Sequence, residues 1–119
     1  MKTLQIDEKW SIEYDPTRND RPTNWLRYGC NTRRFEENNA ATAMFYALLK
    51  ERTSPRAVES IVANLTKMER KWFTTTEWGS WMAEVGQDLA AKGLVTISNG
   101  AYTLTPVGVE VSLFLKNQR

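Results

Sequence analysis

The dipeptide Asn99-Gly100 constrains this chain more than any other feature. Both residue types tolerate a left-handed backbone, which a two-residue type I′ turn requires at its central positions. Centring a turn there sets Ile97 opposite Tyr102 and Val95 opposite Leu104 on one face. Thr96 then meets Thr103 on the other face. This register sorts apolar from polar without a mismatch, and that sorting is what pins a register. Residues 95–104 are therefore predicted to form an antiparallel ribbon.

The flanks continue the pattern. Thr105 is placed to cap a final helix with Pro106 at its first position. Val107, Val111, Phe114 and Leu115 form the face expected to be buried. Upstream, Thr74-Thr75-Thr76-Glu77 reads as a capping box, in which the carboxylate reaches back to the Thr74 amide. Trp78, Trp81, Met82, Val85 and Leu89 follow at helical spacing up to Lys92. Gly79 and Gly86 interrupt that stripe, so residues 76–92 are either one helix or two. Gly93 fits the left-handed position just past a helix end, with Leu94 as the contact that follows it.

Earlier in the chain the period changes. Leu4, Ile6, Trp10, Ile12 and Tyr14 alternate with polar residues, around a candidate tight turn at Asp7-Glu8. Residues 15–22 read as a loop, residues 25–28 as a third short strand, and residues 31–38 as polar chain. From about Asn39, capped by Asn38 or Asn39, the residues Ala41, Met44, Phe45, Leu48 and Leu49 follow helical spacing. Ser54 and Pro55 suit the start of a second helix, whose apolar stripe runs Val58, Ile61, Val62, Leu65, Met68 and Trp72. The expected class is α+β, with small N-terminal antiparallel strands (1–38) preceding a helical unit (39–119).

Helix, helix, a capped third helix and then "LAAKGLVTISNGAYTLTPVG" resembles the winged-helix family over roughly residues 55–116. Leu89, Gly93, Leu94, Val95, Asn99, Gly100, Tyr102, Thr103, Leu104, Thr105 and Gly108 carry the resemblance. It implies that a helix near residues 83–92 is a DNA-reading helix. The family also contains protein-interaction modules, so the fold alone does not choose a function.

Charge argues against a simple DNA reader. Net charge is +2, too little to steer a polyanion by the global field. The expected reading helix offers Gln87 and Lys92 beside Glu84 and Asp88, and the ribbon tip has no cation. Other basic or polar candidates for DNA lie elsewhere: Asn64, Lys67, Arg70 and Lys71 on the second helix, Arg33 and Arg34 before the first. Trp78 and Trp81, three residues apart, and the cluster Trp25, Arg27 and Tyr28 are candidate anchors for a protein partner, because Trp and Arg are enriched among binding hot spots. Val109 and Leu113 form a second apolar facet on the last helix. That facet is either buried against the sheet or the first helix, or is the seam of a homodimer.

Catalytic chemistry finds little to work with. The chain has no histidine and one cysteine, so the commonest general base and a Cys-rich zinc site are both missing. Cys30 has Arg33 and Arg34 nearby but no base, and reads as a spectator thiol. No phosphate-binding glycine loop occurs. The expectation is a non-enzymatic protein without cofactor or metal. The lone cysteine and the lack of any long apolar run point to the cytoplasm rather than a membrane. Two function classes fit. One is a DNA-associated regulator, transcriptional or belonging to a phage or mobile element. The other is an interaction module or inhibitor, such as a phage accessory protein acting on a host protein. The fold resemblance favours the first, and the acidic reading helix keeps the second close.

Overall fold

Alternation in the first residues produces the three expected strands, and residues 31–32, read as polar chain, add a fourth by pairing with the end of the third. The computed structural model describes residues 2–15, 17, 24–28, 31–32, 34–50 and 54–117. Strands β1 (Lys2–Gln5), β2 (Trp10–Tyr14), β3 (Asn24–Tyr28) and β4 (Asn31–Thr32) form an antiparallel sheet in that order. Asp7 makes the first turn: its Oδ1 accepts the Lys9 and Trp10 amides, each at 2.8 Å. The register aligns Leu4, Ile12 and Leu26 in one row. Ile12 and Leu26 are buried in the same core as the helices.

Helix α1 (Phe35–Lys50) starts earlier than the spacing predicts. Asn38 and Asn39 are therefore not caps but residues of its first turns. Asn38 is fully buried, and its Oδ1 accepts the Leu26 amide of β3 at 2.7 Å. The Asn39 side chain donates to the Phe35 carbonyl at 3.0 Å. A distant strand thus supplies the partner that keeps a polar side chain inside a helix, where an unpaired amide would cost ~1–3 kcal/mol. Ala40, Ala41, Met44, Phe45 and Leu48 fill the core from this helix.

The second helix also differs from expectation. Ser54 and Pro55 do not start it. Arg56–Ala57 instead forms a short strand, β5, paired with Tyr102 and Ala101. Helix α2 (Val58–Ala63) follows and ends at Asn64. Beyond it the chain makes a 3-10 turn at Glu69–Lys71. The apolar stripe therefore divides. Ile61 and Val62 are buried, whereas Met68 and Trp72 are exposed.

Helix α3 (Thr75–Ala91) is continuous. Neither Gly79 nor Gly86 breaks it. Gly86 is buried where a Cβ would lie 2.7 Å from the Tyr102 ring, so its lack of a side chain lets β7 pack closely on α3. The capping box forms as read, with Thr74 Oγ1 accepting the Glu77 amide at 3.1 Å and Glu77 Oε1 accepting the Thr74 amide at 2.9 Å. The Thr74 backbone amide, then its hydroxyl, hold the Glu77 carboxyl below its ordinary value of 4.5. A depressed carboxylate stabilises the fold fully above that ordinary value and loses its contribution as pH falls through the lower folded one. Acid unfolding followed by circular dichroism is therefore expected to show a shallower acid limb for Glu77→Gln than for the parent. Identical limbs would place Glu77 outside the cap.

At its far end α3 closes in a Schellman motif: Gly93 (φ +74°) donates to Ala90 and Leu94 to Leu89. Strands β6 (Val95–Ser98) and β7 (Ala101–Leu104) pair in the predicted register. Asn99 and Gly100 have φ of 52° and 76°, as a type I′ turn requires. Thr96 and Thr103 share a hydrogen bond of 2.7 Å. The second sheet has the order β5-β7-β6. Helix α4 (Pro106–Asn117) starts with Thr105 Oγ1 accepting the Gly108 amide at 3.1 Å. Val111 and Leu115 are buried as predicted, and Phe114 packs at the edge of the core. Val107 is exposed, because Gly108 and Ser112 occupy the inner positions of that turn. The fold is α+β, and among the described residues no helix is long and apolar enough to cross a membrane.

Candidate functional site

The segment between α2 and α3 is short of regular structure but firmly held. Thr66 and Glu69 form a reciprocal box: Glu69 Oε1 accepts the Thr66 amide at 2.9 Å, and Thr66 Oγ1 accepts the Glu69 amide at 3.2 Å. The Arg70 guanidinium turns back to the end of α2. It donates to the carbonyls of Ala63 at 2.7 Å, Leu65 at 3.2 Å and Val62 at 3.4 Å. Val62 and Ala63 lie in the last turn of α2, where carbonyls run out of intrahelical donors, and Leu65 follows its cap at Asn64. From the other side, Trp78 Nε1 donates to the Glu69 carbonyl at 3.1 Å.

Rings complete the anchoring. Phe73 meets Trp78 edge-on at 4.9 Å between centroids, and Trp72 stacks beside Trp78 at 6.5 Å. Phe35, the first residue of α1, contacts both Trp72 and Phe73, at 6.2 and 6.1 Å. Such ring pairs contribute about 0.5–1.5 kcal/mol each beyond the area they bury. The outcome is a fixed backbone that still presents two large apolar side chains, Met68 at 68% and Trp72 at 44% exposure. Lys67 and Lys71 precede them, both exposed. Among the described residues neither lysine has an ion-pair partner.

The candidates named from sequence divide, among the described residues, between core and separate parts of the surface. Trp78 is 1% exposed, so it is a core residue and not a surface anchor. Trp81 is half-buried beneath the Arg34 guanidinium, 4.8 Å from its centroid, and Arg34 also pairs with Glu37 at 2.9 Å. Arg27 pairs with Glu13 at 2.7 Å across β2 and β3. Lys92 reaches the N-terminal turn, 3.4 Å from Asp7 and 5.3 Å from the Trp10 ring centroid. Asn64 donates to the Ser60 carbonyl at 2.8 Å. Gln87 is exposed on α3, and Val109 and Leu113 are half-buried on α4. Arg33, Cys30 and the side chains of Trp25 and Tyr28 lie outside the described residues.

Of these candidates, the structure brings Lys67, Arg70 and Lys71 together on one held segment. It adds Met68 and Trp72, which helical periodicity had assigned to a buried stripe. One sequence signal pointed to the difference. Thr66-Lys67-Met68-Glu69 has the spacing of a capping box, and a box at that point ends one helix and opens a new turn. Helix α3, by contrast, contains Glu77, Glu84 and Asp88 and no lysine or arginine. Among the described residues no cluster of three or more His, Cys, Asp or Glu is placed to hold a metal ion. No family model matches the sequence, and neither a curated protein nor a solved structure matches it.

Proposed function

We propose that this chain is a non-enzymatic winged-helix protein that acts by docking on another protein. The succession of α1, α2, α3 and the β6–β7 ribbon supports the family resemblance. The observation that carries the function is the held segment with Met68 and Trp72 exposed. Association costs free energy for every side chain and loop that must be ordered. A segment already fixed by Thr66, Arg70 and Trp78 avoids much of that cost. Trp is enriched among residues that dominate binding, and Met adapts its shape to apolar surfaces.

Exposed Lys67 and Lys71 favour a second reading, a DNA-associated regulator. Against it, non-specific DNA affinity rests on cations meeting phosphates, and the helix in the reading position is acidic. The two readings separate on duplex DNA retention at low salt, run beside a nuclease-treated pull-down from a cell lysate. The docking reading expects no retention, and a nuclease-resistant protein catch that Met68→Ser/Trp72→Ser abolishes. Salt-sensitive retention lost in Lys67→Glu/Lys71→Glu would overturn it in favour of the regulator.

A further inference from the structure

The geometry points to an acidic peptide segment carrying apolar side chains as the occupant of the surface formed by Lys67, Met68, Lys71 and Trp72, an inference that rests on the docking reading. Residues 67–68 and 71–72 repeat the order lysine then large apolar residue, four positions apart. All four are exposed. The nearby carboxylate, Glu69, is turned back onto the Thr66 amide, and the nearby guanidinium, Arg70, remains positive while it covers the end of α2. The surface is thus apolar at its centre and cationic beside it. Its chemical complement is a peptide with two apolar anchors and a few carboxylates next to them.

Extent decides between this occupant and a nucleic acid. A phosphate backbone gains affinity from several cations placed along its path. Among the described residues this segment supplies three cations, Lys67, Arg70 and Lys71, and Arg70 is turned onto the carbonyls at the end of α2. The next exposed charges along the chain, Glu77 and Glu84 on α3, would repel a longer polyanion. A short acidic segment places its carboxylates on Lys67 and Lys71 and ends before them.

A random dodecapeptide library displayed on phage and selected on the full chain tests this. The recovered peptides are expected to combine Asp or Glu with Leu, Phe, Trp or Met. A recovered peptide should lose about tenfold in affinity, or ~1.4 kcal/mol, on Met68→Ser/Trp72→Ser and again on Lys67→Glu/Lys71→Glu. Both variants should remain folded: Lys67→Glu/Lys71→Glu should keep the parent unfolding midpoint, and Met68→Ser/Trp72→Ser should lower it only by the ring contacts that Trp72 loses to Phe35 and Trp78. Replacing the peptide's acids with lysine should restore binding to the charge-reversed variant alone. Peptides without acidic bias that still weaken on Met68→Ser/Trp72→Ser would overturn the acidic occupant while leaving the docking reading intact, whereas binding indifferent to both variants would overturn the surface and leave the docking reading to the nuclease-treated pull-down alone. No peptide recovered, together with an empty nuclease-treated pull-down, would remove both. A labelled oligothymidylate that binds the parent more tightly than the peptides, and weakens in the same variants, would assign the surface to single-stranded nucleic acid instead.

Discussion

Gly108→Ala is expected to destabilise the fold by about 3 kcal/mol or more, near the upper end of what single substitutions do. A Cβ at this position would sit 1.9 Å from the Leu94 carbonyl oxygen and 3.1 Å from Leu104 Cδ2. The first contact is with backbone, and that backbone is fixed from several directions. The Leu94 amide donates to Leu89 to close α3, and the Leu94 carbonyl accepts the Thr105 amide at 3.1 Å. Thr105 Oγ1 donates to the Gly93 carbonyl at 2.5 Å. No rotamer change can relieve such a clash, so α4 must move off the corner. Its buried Val111 and Leu115 would then lose packing against the core. In a chain of this length the loss corresponds to a fall in the thermal midpoint on the order of 10 °C. Gly79→Ala is the internal control, since nothing lies within 4 Å of a Cβ there. It should leave stability unchanged or raise it by up to ~1 kcal/mol through helix propensity. Equal midpoints for the two variants would mean that α4 does not enter against Leu94.

The contrast between these glycines shows which features a sequence displays. Asn99-Gly100 acts through its own backbone, and its hairpin and register were legible without the rest of the chain. The same holds for the Thr74–Glu77 box, the Thr105–Pro106 start of α4 and the Asp7 turn, all of which satisfy neighbours within a few residues. Elements that depend on distant partners were not legible. Asn38 resembles a helix cap until the Leu26 amide is known to lie against it. Arg56 and Ala57 become a strand only because β7 returns beside them. Gly86 weakens a helix in isolation, yet its bare backbone receives the Tyr102 ring. The candidate surface was half legible for the same reason. Lys67, Arg70 and Lys71 stood out as cations, but the stripe through Met68 and Trp72 assumed a continuous helix that the Thr66–Glu69 box and the Arg70 contacts end.

Trp78→Ala is expected to cost about 3–5 kcal/mol, as truncation of a buried tryptophan does through lost transfer energy and the cavity left behind. Trp78 is 1% exposed, whereas Trp72, its stacking neighbour, is 44% exposed. Trp72→Ser should cost less, about 1–2 kcal/mol, chiefly through its ring contacts with Phe35 and Trp78. The difference between the two tryptophans, read by denaturant unfolding, separates a core ring from a presented one. Trp78→Phe refines the cause. It keeps an aromatic body against Phe73 but removes the Nε1 hydrogen bond to the Glu69 carbonyl. That loss should amount to about 1 kcal/mol. Because this bond ties residues 66–73 to α3, amide exchange in Trp78→Phe should rise selectively at Lys71 and Trp72, whose amides close the 3-10 turn onto Met68 and Glu69. The same variant should weaken a selected peptide while leaving Met68 and Trp72 chemically intact, since the surface would then have to be ordered on binding. If Trp78→Ala and Trp72→Ser prove equally destabilising, Trp72 belongs to the core and the presented surface loses its centre.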